Sequence, residues 1–375
     1  MSRILVDLLG YTGDRGGTET YVRALMSRIP ALMPGSEFIA LANRPSAAAV
    51  EAFFPGSVRV VPWAGRDRAT WALGAISATS RVAKRVGADL IWCPSNFGPI
   101  TGTHAPLIVT VHDVIYDEVR GSGLSRLSRA ITSWLMGRTA RESDLVLTVS
   151  DSAASSISAR LSVSESRIRR VYNGASGLPR NPPDPHLATL AGVPSDRRVV
   201  LSTGNRMPHK NFVGLLTALT RIDEADRPFA VIPGSHGTDP LAAAVARLGL
   251  EKDVLLPGWV EQDVLEAFYA RANLYVCPSL AEGFGLPVLD AMARGCPVLA
   301  NDIPVLREIG GAFVSYADAR DVTEFAAAIR TCASIDPSDE WLAGGRQRAS
   351  GFSWDATAAG VAATFESALT QGRAE

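Results

Sequence analysis

The stretch LYVCPSLAEGFGLPVLDAMARGCPVLA, residues 274–300, decides how the rest of the chain is read. Leu274–Val276 is an apolar run of strand length. A glycine-punctuated loop follows, Pro287 marks the start of an Ala-rich helical pattern, and Val298–Ala300 is a second apolar run. Strand, helix, strand in that order is a βαβ unit with its two strands parallel. The loop carries Glu282 and the helix Asp290, with Gly283, Phe284, Gly285 and Leu286 between them. Carboxylates accept hydrogen bonds from vicinal hydroxyls, and glycines let a ligand approach main-chain N–H groups. A ligand with a polyol at each end and a phosphate between suits this order of groups. Acids near a helix start are also what the helix macrodipole favours by itself, so Asp290 alone leaves both readings open.

Working outward, the same alternation covers the chain. Strand candidates are Ile4–Leu8, Phe38–Leu41, Val58–Val61, Leu90–Trp92, Leu107–Val111, Leu145–Val149 and Ile168–Val171, with helical patterns such as TETYVRALMSRI and TWALGAISATSRVAKRV between them. The run SGLPRNPPDPHLATLAGVPSDR, rich in proline from Pro179 to Pro194, denies both helix and inner strand and reads as a linker. Beyond it come Val199–Ser202, Phe229–Ile232, Val254–Leu256, then the quoted unit. The expectation is α/β: two doubly wound, Rossmann-like domains facing across a cleft, 1–178 and 179–354, with ligand groups on loops beyond the carboxyl ends of the strands.

Composition narrows the class. At 375 residues with a formal net charge of −1, the chain has room for two cores and no global electrostatic case for nucleic acid as a partner. The opening apolar run breaks after about six residues, short of a signal-peptide core, and no stretch approaches the ~20 apolar residues of a spanning helix. Cys93, Cys277, Cys296 and Cys332 lack CxxC spacing and read as reduced thiols. A cytoplasmic enzyme is expected.

Three further loops follow strands. In GYTGDRGGTETY, Gly16 and Gly17 precede a helix with Thr18 or Thr20 as expected N-cap; a tight turn and an anion-binding loop both fit. The spacing is neither GxGxxG nor a P-loop, which argues against a dinucleotide dehydrogenase or a P-loop NTPase. In LIVTVHDVIY, His112 and Asp113 leave a buried strand pointing opposite ways, one toward the ligand and the other bracing a loop. In LSTGNRMPHKNF, Arg206 and Lys210 flank Pro208 at a helix start, a planar fork and a mobile point charge suited to a diphosphate; a solvated basic turn is the other reading. Polyol, phosphate, polyol is the layout of a nucleotide sugar.

The quoted stretch resembles the glutamate–seven–glutamate region of the retaining glycosyltransferases of family four, which have the GT-B fold. GGTETYVRAL, VTVHDV, LVLTVSDSAASSI, VYNGA, GNRMPHKN, LPGWV, EAFYARANLYVCPS, REIGGAFV and FSWDATA resemble their counterparts in family order, over nearly the whole chain. The resemblance implies catalytic roles for His112, Arg206, Lys210 and Glu282. It implies donor contacts from Gly16, Gly17, Arg206, Lys210, Glu282, Gly283, Phe284, Gly285, Leu286 and Asp290, with Glu282 on the sugar hydroxyls and Asp290 on the ribose. It also implies base contacts around Pro257–Trp259 and a last helix, 355–375, that returns to the N-terminal domain. Asp290 departs from the family's usual Glu, one methylene shorter.

What the resemblance implies is hexosyl transfer with retention from a nucleotide diphosphate sugar, GDP-mannose as first donor, to a glycan or glycolipid hydroxyl. No cofactor and no metal are expected, since the family is not built around an essential divalent ion and the sequence has no DxD pair. A nucleotide-sugar 2-epimerase and a non-catalytic sugar-nucleotide binder are the alternatives. The segment GLSRLSRAITSWLMGRTARES, with Leu124, Leu127, Ile131, Trp134 and Leu135 at helical spacing among arginines, fits contact with an anionic membrane at the inner face, contact with a charged acceptor, or a core-facing helix with a solvated basic face.

Overall fold

The computed structural model describes residues 1–13, 16–65, 68–115, 126–179 and 184–371. The chain forms two compact units. One is built from Met1–Asp117, Leu124–Gly174 and Phe352–Glu375, the other mainly from Ala175–Gly351.

The first unit carries a seven-stranded sheet: β1 (Ser2–Leu8), β2 (Ser36–Asn43), β3 (Ser57–Val61), β4 (Leu90–Cys93), β5 (Leu107–Thr110), β6 (Leu145–Thr148) and β7 (Ile168–Arg170). Every pairing is parallel, in the order β3-β2-β1-β4-β5-β6-β7. Helices cover both faces, so every residue of β4, β5 and β6 is buried. Charge appears at the edges, with Arg59 on β3 and Arg169 and Arg170 on β7, where it discourages pairing with another sheet.

The second unit carries six parallel strands, β8 (Val199–Leu201), β9 (Phe229–Val231), β10 (Val254–Leu255), β11 (Leu274–Cys277), β12 (Val298–Asn301) and β13 (Ser315–Ala317). Their order is β10-β9-β8-β11-β12-β13. In each sheet the winding reverses once, between β1 and β4 and between β8 and β11. Loops leaving the carboxyl ends of such a neighbouring pair part in opposite directions and open a crevice.

Three expectations are corrected. The division falls after Gly174 and the return begins at Phe352, where the sequence reading set 178 and 355. The reason is packing: Tyr172 stacks edge-on against Phe352 with ring centroids 5.3 Å apart, and the Thr357 hydroxyl donates to the Tyr172 carbonyl at 2.7 Å. The proline-rich run is not free of helix, since Pro185–Leu190 forms one with proline at its first position and the Asp184 side chain accepting from His186 N–H. The pattern TWALGAISATSRVAKRV is helical as expected, in two helices, Arg68–Ser77 and Thr79–Val86. Strand β13 was not among the expected strands; it is three residues long and only Ala317 is buried. All four cysteines are free thiols, three buried and Cys332 half-buried.

Candidate functional site

In the second unit the loops after β8 and β11 flank the reversal point. The β11 loop enters the helix Leu286–Ala293 through Gly285, whose φ of +98° belongs to the left-handed region, and a Cβ there would stand 2.8 Å from Leu306 Cδ2. Only glycine makes that entry without strain. The turn delivers Glu282 against Lys210 from the β8 loop: Lys210 Nζ lies 2.7 Å from Glu282 Oε1, with side-chain exposures of 14% and 9%. The loops are also joined through the backbone, Leu280 N–H donating to the His209 carbonyl at 2.7 Å. Asn301, fully buried at the end of β12, holds the Ser279 carbonyl at 2.9 Å.

Burial alone would push the Glu282 carboxyl up. The charge and hydrogen bond of Lys210, the Ser279 hydroxyl and the neighbouring His209 together outweigh it and hold Glu282 below its ordinary value. His209 is pushed down by burial and by the Lys210 charge, against the pull of Glu282. The sequence reading did not single out His209; its place beside Lys210 in PHKN was the available signal.

Arg206 behaves otherwise than expected. Its Nε donates to Asp239 at 3.0 Å, Nη1 to the carbonyls of Gly204 (2.9 Å) and Pro233 (3.2 Å), and Nη2 to the Ile232 carbonyl (2.6 Å) and Asp239 (2.7 Å). Those five bonds engage all five N–H groups of the guanidinium. The side chains of Arg206 and Asp239 are 7% and 8% exposed. Arg206 therefore ties the β8 loop to the β9 loop, and in this conformation it offers no donor to a diphosphate. Gly234 completes that tie; its φ is +110° and a Cβ there would meet the Gly204 carbonyl oxygen at 2.7 Å.

Asp290 lies in the second turn of its helix, within the first turns where the sequence places it. Both of its carboxylate oxygens are held by one residue, Ser176, whose N–H donates to Oδ1 at 2.7 Å and whose hydroxyl donates to Oδ2 at 3.0 Å. Burial raises the Asp290 carboxyl above its ordinary value, against the Ser176 bonds and the Arg294 charge. Arg294 donates to the Asp290 carbonyl at 3.0 Å and grips Glu266 through Nε at 2.6 Å and Nη2 at 2.5 Å. Beside the Gly258 loop, which accepts Gly234 N–H at 2.7 Å, exposed Trp259 stacks on His236 with centroids 4.6 Å apart.

In the first unit, Gly16 is the N-cap of the helix Gly17–Met26, with extended backbone; neither Thr18 nor Thr20 caps it. A Cβ on Gly16 or Gly17 would meet nothing within 4 Å and neither has positive φ, so neither packing nor backbone geometry requires glycine there. The loop before them is held by Glu19, whose Oε1 accepts from Thr12 N–H, the Thr12 hydroxyl and Gly13 N–H at 2.8, 2.6 and 3.1 Å. Asp14 and Arg15 lie outside the described residues. His112, just past β5, has Nε2 2.8 Å from the Pro94 carbonyl at the end of β4 and donates its own N–H to Asn96 Oδ1 at 2.9 Å. A carbonyl only accepts, so Nε2 carries the proton and a neutral ring has its lone pair on Nδ1. Burial lowers the His112 pKa, against the Pro94 bond, and favours that neutral ring. Tyr21 stacks edge-on against it at 4.9 Å.

Leu124 and the side chain of Leu127 lie outside the described residues. On the helix Arg126–Glu142, Ile131 and Trp134 are half exposed, while Arg138 binds Glu142 and the Ile100 carbonyl and Arg141 binds the Leu161 carbonyl. Those two arginines serve the fold. No helix among the described residues is long and apolar enough to cross a membrane.

Residues 15–176 match the family model Glycosyltransferase Family 4, and residues 191–342 match Glycosyl transferases group 1. The chain is 32% identical over 218 residues to O-antigen chain mannosyltransferase B of Escherichia coli, covering 56% of this chain and 57% of that one. It is 28% identical over 280 residues to the MMP alpha-(1->4)-mannosyltransferase of Mycolicibacterium hassiacum, covering 71% of this chain and 66% of that one. The matches thus span between about half and two thirds of these relatives' lengths. Sucrose-phosphate synthase from Thermosynechococcus elongatus superposes with a TM-score of 0.79 at 18% identity, over 99% of this chain and 100% of that one, a likeness of fold. With two family models covering most of its length on two parallel sheets of this winding, the chain belongs to the glycosyltransferases of family 4, with the GT-B fold.

Proposed function

We propose that this protein is a retaining glycosyltransferase that moves a hexosyl group from a nucleotide diphosphate sugar to a hydroxyl of a glycan or glycolipid. The observation that carries the reading is the buried Lys210–Glu282 pair at the reversal point of the six-stranded sheet. A carboxylate held ionised there accepts from sugar hydroxyls, and the ammonium beside it meets negative charge. As the glycosidic bond breaks, charge grows on the departing diphosphate. Lys210 is the cation assigned to it, and stabilisation that strengthens as the charge develops lowers the barrier.

His112, neutral with Nε2–H on Pro94, is assigned to orient the sugar through Nδ1 as an acceptor. Gly16 and Gly17 are assigned to the donor phosphates, which accounts for glycine where neither packing nor φ demands it. The Gly258 loop with Trp259 is assigned to the base. The first donor is GDP-mannose, supported by the two mannosyltransferase relatives. The reaction is taken to be metal-independent, the protein cytoplasmic, and the acceptor an oligosaccharide or glycolipid, the latter met at the inner membrane face.

The test is a thermal-shift and donor-hydrolysis screen with GDP-mannose, UDP-glucose, UDP-N-acetylglucosamine and dTDP-rhamnose in EDTA, then with magnesium. Stabilisation by one donor and its nucleoside diphosphate, with slow release of that diphosphate in EDTA, supports the reading. No shift with any donor in either buffer refutes it.

A further inference from the structure

Asp290 is one methylene shorter than the glutamate the family usually carries, and Ser176 occupies the position beside it. Two bonds from one residue to the two oxygens of one carboxylate, 2.7 Å from the main-chain N–H and 3.0 Å from the hydroxyl, fix the plane of that carboxylate. The turn carrying Asp290 is equally constrained. Its carbonyl is held by Arg294, Arg294 is clamped on buried Glu266, and the Arg294 guanidinium lies 4.9 Å over the Tyr269 ring. Ser176 itself is half-buried, three residues ahead of Pro179.

The bonding leaves a definite chemistry. The Ser176 hydroxyl donates its one proton to Asp290, so toward any third group it presents only lone pairs. The Asp290 carboxylate, with one bond on each oxygen, keeps acceptor capacity as well. Two acceptors side by side, the hydroxyl polarised by the carboxylate, match two adjacent O–H donors. A longer glutamate would reach such a diol by itself; here serine and aspartate share the distance.

We propose that Ser176 is a specificity-determining residue of the donor site: its hydroxyl and the Asp290 carboxylate form one two-acceptor cradle for the ribose diol of the nucleotide. This rests on the reading of the second unit as a nucleotide-sugar site and adds a residue that the family motif does not contain.

The experiment is calorimetric titration of the full chain with GDP, UDP and ADP, and with the 2′-deoxy and 3′-deoxy forms of whichever binds. Wild type, S176A and S176T are compared, with melting curves as the folding control. Loss of one hydrogen bond is expected to weaken the ribonucleotide roughly three- to tenfold in S176A. The deoxynucleotides are expected to bind S176A within about twofold of wild type, so that ribose discrimination narrows, and S176T is expected to restore it. Equal weakening of ribo and deoxy forms would show that Ser176 only anchors the helix and overturns the proposal, as would no change in S176A. Failure of wild type to bind any of the three ribonucleotides would instead refute the donor reading, and this proposal with it.

Discussion

Asp7 offers a quantitative test of how the first unit is built. It lies on β1, 4% exposed, with Oδ2 accepting from the Thr79 hydroxyl at 2.6 Å and Oδ1 from Leu9 N–H at 3.0 Å. Burial pushes its carboxyl up from 3.8 to about 6 against those two bonds. Between these values the folded chain holds a proton that the unfolded chain has released, so stability falls as pH rises through the window and levels off above the folded value. At about 1.36 kcal/mol per unit, a shift of about two units costs roughly 3 kcal/mol at neutral pH. Asp7→Asn removes the titration while keeping an acceptor for Leu9 N–H, and the Thr79 hydroxyl can turn to accept from the new amide. The variant should match wild type near pH 4 and exceed it by about 3 kcal/mol at pH 7.5. Urea unfolding followed by tryptophan fluorescence is weighted toward this unit, since Trp63, Trp71, Trp92, Trp134 and Trp354 belong to it and only Trp259 and Trp341 to the other. A difference that does not grow with pH, or a variant weaker than wild type at pH 7.5, would refute the reasoning.

Lys210→Met leaves Glu282 buried without its cation and should cost about 3–5 kcal/mol; Lys210→Met with Glu282→Gln should regain most of that in chemical denaturation while nucleotide binding stays lost. Arg206→Ala removes five bonds, four of which join the β8 loop to the β9 loop, and should lower the melting temperature of the second unit, yet at a temperature where it is folded its nucleoside diphosphate affinity should stay within about threefold of wild type. A loss comparable to that of Lys210→Ala would return Arg206 to the diphosphate. His112→Phe should lower turnover by about a hundredfold with little change in nucleotide affinity. Because burial lowers the His112 pKa, the turnover of wild type should show no acid limb at the ordinary histidine value; a limb centred there would contradict a buried neutral ring.

Most strand positions were legible because a parallel sheet covered on both faces favours apolar runs, such as Phe38–Leu41, Leu90–Trp92, Phe229–Ile232 and Leu274–Val276, although Asp7 interrupts β1 and arginines interrupt the edge strands β3 and β7. β13 escaped because an edge strand of three residues with one buried side chain leaves no apolar run. The helix Pro185–Leu190 escaped because within the proline-rich run each proline counted as a breaker, whereas Pro185, like Pro208 and Pro287, stands at the start of a helix where it costs nothing. At the site, the positions of Glu282, Lys210 and His112 followed from strands ending just before them. Ser176 carried no signal: a serine ahead of a proline-rich run looks like loop, and its role depends on the return of Asp290 from residues far along the chain.

Arg206 shows why charge type, beyond charge, decides which cation serves a ligand. Among the described residues, the ion pairs buried in the second unit include Arg206–Asp239, Lys210–Glu282 and Arg294–Glu266. A guanidinium is a rigid fork, and once its donors are engaged by carbonyls and a carboxylate it cannot turn to a new anion without abandoning several bonds together. Arg206 and Arg294 are both in that state, each tying a loop or helix turn that the site depends on. An ammonium is a point charge on a flexible stem whose donors rotate, so Lys210 can shift toward a phosphate oxygen and keep Glu282 within reach. Sequence supplies two basic residues four apart and no means of ranking them. The ranking comes from bond inventory, and it is why the proposed function gives the diphosphate to the lysine.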